Sequence, residues 1–207
     1  MAIVFLAIGA HPDDIEAGCG GTAKKEIDRG GRGYAVILTK GQNGKHATDC
    51  HECHGSLKSL GFREIHVLDF KDGDIRFDSN VVSAIEEFVK QYEPEEVYGH
   101  SIRDRHQDHM FSGHATIAAA RKAPKIYLYQ SPSSTPEFTP TSFSVITETI
   151  EDKIKALSFY TSQLERGSIL DLDWVEAQAV YWGHASLANN GKKDFVEAFE
   201  MYKEIKR

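Results

Sequence analysis

Residues Ile3–Asp14 read IVFLAIGAHPDD, an apolar run that ends at Gly9 and opens at once into His11, Asp13 and Asp14. The run Ile3–Ile8 is short, continuous and rich in β-formers, which reads as a strand covered on both faces. Pro12 halts it and fixes its own φ, so the flanking polar side chains are rigidly aimed. The same unit recurs further on. Apolar runs at Tyr34–Thr39, Ile65–Phe70, Glu96–Gly99 and Lys125–Tyr129 alternate with segments of helical spacing. A Gly-rich turn leads into the first helix-like segment, near Gly20–Arg29, and Glu52–Leu60 can form the second. In the third, Val81, Val82, Ile85, Phe88, Val89 and Tyr92 share one face, with Asp78, Ser79 and Asn80 as N-cap candidates. A fourth follows Asp108. Strands alternating with helices predict βαβ units, hence an α/β fold: an open, Rossmann-like, mostly parallel sheet flanked by helices, in a single domain.

The pattern changes after Tyr129. Ser131–Pro140 carries Pro, Ser and Thr in loop proportions. A strand-like Phe143–Ile146 follows, then an amphipathic helix carrying Ile150, Ile154, Leu157 and Leu164, with Thr147 or Thr149 as its cap. The last segment, Asp194–Lys206, has helical character. One domain over residues 1–207 is expected, with a core at 1–130 and an extension at 131–207 packed on it. A length of 207 residues suits that reading.

The net charge of −7 argues against a nucleic-acid partner, which needs a basic face. The N-terminal apolar run is far short of the roughly 20 residues of a membrane helix and lacks the basic flank of a signal peptide. Three Cys (Cys19, Cys50, Cys53) do not form a disulfide framework. A cytoplasmic protein with no membrane partner is expected. One count stands out: ten His, the commonest metal ligand type.

Two histidine clusters fall just beyond strand ends, where open α/β sheets bind ligands. The first is Gly9-Ala10-His11-Pro12-Asp13-Asp14. The second is Asp104-Arg105-His106-Gln107-Asp108-His109. His106 and His109, three apart at a helix start, share one side, and Asp108 between them can orient a ring. Taken as turn or cap chemistry, the aspartates are ordinary. Two charged histidines at a helix N-terminus oppose its dipole, however, and a metal would keep them neutral. The two clusters supply His, Asp and His as ligands with acid–base groups to spare. A catalytic zinc site uses three such ligands and an open position. The bound metal lowers the pKa of water toward about 7, a spare carboxylate takes the water's proton, and a spare His stabilises an oxyanion or protonates a leaving amine. Those are the requirements of amide hydrolysis. Spacing alone does not choose between Asp13 and Asp14 as ligand. His100, closely following the fourth run, is a candidate for the site's lining, and His66 reads as packed in its strand.

A third cluster, Cys50-His51-Glu52-Cys53-His54, matches the C-x-x-C-H haem-attachment pattern. It lies in a helix-like stretch, where incidental Cys and His on a surface helix are the simpler reading.

With these residues in hand, the chain resembles the LmbE/PIG-L family of metal-dependent amino-sugar N-deacetylases. The family's leading motif, (P/A)-H-P-D-D, matches Ala10–Asp14, and its continuation matches Ile15-Glu16. The Gly-rich helix start matches Gly18–Thr22, T-x-G-x-x-G matches Thr39–Gly44, and H-x-D-H matches His106–His109. Downstream, F-x-P-x-x-F matches Phe138–Phe143, a helix ending in S-Q matches Lys153–Gln163, and a terminal A-E-A-F-like element matches Val196–Phe199. The resemblance implies that His11, Asp14 and His109 bind the metal, expected as Zn2+ with Fe2+ or another divalent ion as alternatives. It implies Asp13 as the general base on the metal-bound water, and His106, held by Asp108, as oxyanion stabiliser or acid. It also implies a small-molecule N-acetyl amino-sugar substrate and a homo-oligomer, trimeric or hexameric. Many relatives carry a substrate-contacting Arg where this chain has Asp49, and the aspartate that often follows the second Phe is replaced near Ser144–Val145, so the substrate-reading edge is altered. Two other functions compete: a non-catalytic α/β module binding a sugar or nucleotide in the same pocket, and a haem or redox protein through Cys50, Cys53 and His54.

Overall fold

The N-terminal apolar run is strand β1 (Val4–Gly9). It is followed in chain order by β2 (Arg32–Thr39), β3 (Glu64–Phe70), β4 (Glu96–His100), β5 (Lys125–Tyr129), β6 (Ser142–Val145) and β7 (Val196–Glu204). The computed structural model describes residues 2–43, 50–161, 171–188 and 194–206. The strands form one seven-stranded sheet of order β3-β2-β1-β4-β5-β7-β6. β1 to β5 are parallel, and β7 runs antiparallel between β5 and β6. The chain winds outward from β1 to β3, then returns to β4 on the other side of β1. The topological switch point therefore lies between the carboxyl ends of β1 and β4, the place where doubly wound sheets bind ligands.

Six helices are described: α1 (Asp14–Asp28), α2 (Cys50–Leu60), α3 (Ser79–Tyr92), α4 (Gln107–Ala119), α5 (Ile150–Leu157) and α6 (Leu172–Ala185). Strand side chains alternate between two faces. Phe5, Ala7, Ala35 and Ile37 pack with Ile15 and Cys19 of α1, Cys53 and Leu57 of α2, and Ala156 of α5. Leu6, Ile8, Val36 and Leu38 pack with Val81 and Ile85 of α3 and Ala115 and Ala119 of α4. Burial of each Leu, Ile, Val or Phe among them contributes about 1.5–3 kcal/mol. Asp78 caps α3, its carboxylate accepting the N–H groups of Asn80 and Val81.

Three expectations need correction. Asp194–Lys206 is not helical: Val196–Glu204 is strand β7, paired on both edges over part of its length. Its Glu, Ala and Lys residues favour a helix weakly, and the backbone bonds offered by β5 and β6 override that preference. The Gly-rich segment is not a turn before the first helix, because Gly18, Gly20 and Gly21 lie within α1. There they permit close approach: a Cβ on Gly18 would lie 2.1 Å from the Tyr129 ring, and one on Gly21 would lie 2.7 Å from Ile146. Helix α6 had no counterpart in the sequence reading, and α5 ends at Leu157. Leu164 and Gln163 lie outside the described residues.

Helix α1 is broken at Cys19 (φ −145°, ψ 16°). The break is repaired by the C-terminal segment. Glu197 of β7 accepts the N–H of Gly21 at 2.9 Å and of Thr22 at 2.7 Å. Lys153 of α5 donates to the Ala17 carbonyl at 2.7 Å and to Glu197 Oε1 at 2.6 Å. Both side chains are buried. A buried ion pair thus occupies the gap where two turns of helix would have bonded each other.

Candidate active site

His11 lies just past β1, after Ala10, and His100 ends β4, so the two flank the switch point. Asp13 is the N-cap of α1 with φ 88°, in the left-handed region, at a cost on the order of 1 kcal/mol or more. It makes no capping hydrogen bond with its side chain. Asp14, the first residue of α1, is buried and turns its carboxylate inward. His106 is the N-cap of α4, and Asp108 and His109 lie in that helix's first turn. The fold therefore delivers the two clusters to one place from either side of the β1/β4 crevice.

Four candidate ligand atoms, from His11, His109 and both oxygens of Asp14, converge there. His11 Nδ1 lies 3.3 Å from His109 Nε2. Asp14 Oδ2 is 3.4 Å from His11 Nδ1, and its Oδ1 is 3.4 Å from His109 Nε2. A tetrahedral zinc site with metal–ligand bonds of 2.0–2.1 Å requires ligand atoms about 3.3–3.4 Å apart. The residues fit a divalent cation on that test. The outer nitrogens of the two histidines face carboxylates, as metal-ligating histidines usually do. His11 Nε2 lies 3.2 Å from Asp72 and 3.3 Å from Asp108, and His109 Nδ1 lies 3.4 Å from Asp104. His106 also groups with His11 and His109 within ligating range, its ring stacked on His109.

The charge balance is that of a cation site. Burial alone would lower the His11 pKa, but hydrogen bonds to Asp108, Asp14 and Asp72 outweigh it and push it up to about 12. Without a metal, a proton is held where positive charge is wanted. Burial likewise works to raise the Asp14 carboxyl, and His109 and His100 hold it well below the usual range. Asp13 goes the other way: burial, then Asp14 and Glu16, raise its carboxyl well above the usual range. The pKa of His106 is lowered by burial and by His109 and His11. His100 is fully buried, and burial brings its pKa down to about 4 despite Asp14 at 3.0 Å.

Placement differs from expectation at Asp108. Its carboxylate does not hold the His106 ring. Oδ2 pairs with His11 and accepts the Gly73 N–H at 2.7 Å, and Oδ1 accepts the Ile75 N–H at 3.1 Å. Only the Asp108 backbone N–H meets His106, at Nδ1. A side chain in the first turn of α4 points across the crevice, whereas the His106 ring folds back over its own turn. Asp72, Asp104, Ser131 and Ser133 had no assigned role from sequence. They reach the cluster from three loops, and only the position of Asp72 and Ser131 just past β3 and β5 hinted at it. Cys53 packs in the hydrophobic core with Leu57, and Asp49 lies outside the described residues.

A family model described as PIG-L: GlcNAc-PI de-N-acetylase matches residues 6–120. The chain belongs to this family. Among PIG-L relatives, it is 37% identical over 167 residues to the Escherichia coli (strain K12) protein described as uncharacterized deacetylase YaiS, covering 76% of this chain and 90% of that one. It is 33% identical over 101 residues to the diacetylchitobiose deacetylase of Thermococcus kodakarensis, covering 43% of this chain and 37% of that one. The structure of GalB, the 4-carboxy-2-hydroxymuconate hydratase of Pseudomonas putida KT2440, superposes with a TM-score of 0.85 at 19% identity, covering 99% and 98% of the two chains. The fold thus carries more than one chemistry, and activity is decided by the site. No helix among the described residues is long and apolar enough to cross a membrane.

Proposed function

We propose that this PIG-L family member is a metal-dependent N-deacetylase that hydrolyses the acetamide of an N-acetylated amino sugar or amino-sugar conjugate. The observation that carries the reading is the cluster of His11 Nδ1, His109 Nε2 and the two Asp14 carboxylate oxygens, with contacts of 3.3–3.4 Å between the three residues, and next to it in sequence the Asp13 carboxylate, which makes no capping hydrogen bond. These three residues would hold a divalent cation, Zn2+ by donor type, which supplies Lewis acidity and an acidified water.

The chain's own groups account for the proton movements. Asp13, whose carboxyl is made more basic by burial and by Asp14, takes a proton from the attacking water. His106 accepts the Asp108 N–H at Nδ1, which leaves its hydrogen on Nε2. A neutral imidazole in that tautomer donates to the developing oxyanion. Asp13 then carries the proton the leaving amine needs. Asp72 and Asp108 keep the His11 ring in place through Nε2.

The acetamido-sugar substrate class is supported by the Thermococcus relative, and the acidic composition is compatible with a neutral or cationic sugar rather than nucleic acid. A cytoplasmic location and a trimeric or hexameric assembly are part of the same proposal. The test combines metal analysis with amine release from N-acetylglucosamine, N,N′-diacetylchitobiose and N-acetylated sugar conjugates. Stoichiometric metal and amine release that a chelator abolishes are expected. A protein that retains no divalent metal and releases no amine from any of these would overturn the reading.

A further inference from the structure

Asp104 has no role in the chemistry above, yet donors enclose its carboxylate. Oδ1 accepts the His106 N–H at 2.8 Å and the Ser133 hydroxyl at 2.6 Å. Oδ2 accepts the Ser131 hydroxyl and lies 3.4 Å from both Ser134 Oγ and His109 Nδ1. The serines belong to one loop after β5. That loop is fastened to the segment before α4 by Arg105 N–H to Ser133 O, Thr135 N–H to Arg103 O, and an isolated bridge between Asp104 and Ser134.

Ser133 Oγ also lies 3.2 Å from His109 Nδ1. Its hydrogen is committed to Asp104, so toward His109 it can only accept. Two acceptors, Asp104 Oδ2 and Ser133 Oγ, therefore converge on Nδ1. A neutral imidazole carries one N–H. With the hydrogen on Nδ1 both acceptors are satisfied, and the Nε2 lone pair faces Asp14 and His11. With the hydrogen on Nε2, the Nδ1 lone pair would face a carboxylate and the inward nitrogen would be blocked as a ligand.

We infer that Asp104 is a positioning residue that holds His109 in the Nδ1–H tautomer and so presents Nε2 as a metal ligand, with the Ser131–Ser134 loop setting the carboxylate for that task. The inference rests on the reading of His109 as a ligand.

The arrangement makes an unusual ordering of variants. In Asp104→Asn, the fixed His106 N–H requires the amide oxygen at the Oδ1 position. The NH2 group is then forced toward His109 Nδ1, which drives the hydrogen to Nε2. In Asp104→Ala, neither tautomer is imposed. Zn2+ affinity, measured by chelator competition, should fall about 10–100-fold in the Asn variant and less in the Ala variant. A purely structural role gives the opposite order, since Asn keeps the bonds to His106 and Ser133 that Ala deletes. Asp104→Glu should restore part of the affinity. An Asn variant that binds Zn2+ as tightly as wild type, or more tightly than Ala, overturns the inference while leaving the deacetylase reading intact. Wild type that binds no Zn2+ overturns the deacetylase reading itself. If the variants fail to fold, 15N spectra of the metal-free wild-type imidazoles decide: the His109 hydrogen is expected on Nδ1, and a hydrogen on Nε2 overturns the assignment.

Discussion

Replacing Glu197 should cost this protein most of its stability, although the residue lies outside the candidate active site. Its carboxylate closes the break in α1 by accepting the Gly21 and Thr22 N–H groups, and it balances the buried Lys153 ammonium at 2.6 Å. Glu197→Ala strands that ammonium, worth about 3–5 kcal/mol. It also leaves two backbone donors without partners, at about 1–3 kcal/mol each. Even at the low ends the sum is about 5 kcal/mol, comparable with the whole stability of a typical domain, about 5–15 kcal/mol. Lys153→Met is milder. Glu197 keeps its two backbone donors, and only the Ala17 carbonyl and one charge lose a partner, so about 3 kcal/mol is expected. The pair Lys153→Met with Glu197→Ala should cost less than the two singles added, because neither charge is then left alone. Urea unfolding of the four chains forms a double-mutant cycle. With an m-value of about 3 kcal/mol/M, the Lys153→Met midpoint should fall by roughly 1 M. Single costs below about 1 kcal/mol, or additivity within about 0.5 kcal/mol, would refute the argument that the ion pair replaces broken helix bonds.

Other outcomes follow from the same geometry. Asp13→Asn should lower kcat by about 10²–10⁴-fold while metal content, read by elemental analysis, stays at the wild-type level; a large loss of metal would reassign Asp13 as a ligand. Burial raises the Glu16 pKa from 4.5 to about 7, so the folded state binds this proton more tightly than the unfolded chain does. Its contribution is fully present below about pH 4.5 and is lost as pH climbs through about 7. Glu16→Gln should therefore gain about 2 kcal/mol on wild type between pH 5 and pH 8, and a pH-independent difference in unfolding free energy would contradict this. In α1, Gly18→Ala should destabilise by about 1–3 kcal/mol or more, because the new methyl meets the Tyr129 ring. Gly20→Ala, whose Cβ would meet nothing nearer than 3.5 Å, should be neutral or stabilising by up to about 1 kcal/mol; equal thermal shifts in the two variants would undo the packing argument.

What could be read from the chain was whatever local sequence encodes. The apolar runs that became β1 to β5 sit within a few residues of the strands, since parallel strands buried on both faces need continuous apolar residues. Asp78 announced α3 because a cap is satisfied by its own next turn. His11, Asp13, Asp14, His106, Asp108 and His109 were visible because each group is contiguous and falls at a strand end. What escaped depends on distant partners. β7 is a strand because β5 and β6 bracket it, and its own residues lean toward a helix. The glycines of α1 looked like a turn because the Tyr129 and Ile146 side chains that need the space lie more than a hundred residues on.

Asp108 shows the same division inside the site. Its nearest histidine in sequence is His106 or His109, and orienting a neighbour is the natural guess. Its actual partner, His11, is 97 residues away. Such pairings are set by the meeting of the segment after β1 with the start of α4 at the carboxyl end of the sheet, which no local pattern encodes. They nonetheless determine the electrostatics. His11 and His109 each have their outer nitrogen turned to at least one carboxylate, and Asp14 lies between the two inner nitrogens. More negative groups than a pair of imidazoles can balance are thus enclosed in one crevice, and a proton held on His11 up to about pH 12 is the metal-free chain's response. A divalent cation meets the same demand with the charge distributed over three ligands. Zn2+ binding should therefore displace a proton from His11, and isothermal titration in buffers of different ionisation enthalpy would register that release at neutral pH. Binding without proton release would place the cation somewhere other than His11 Nδ1.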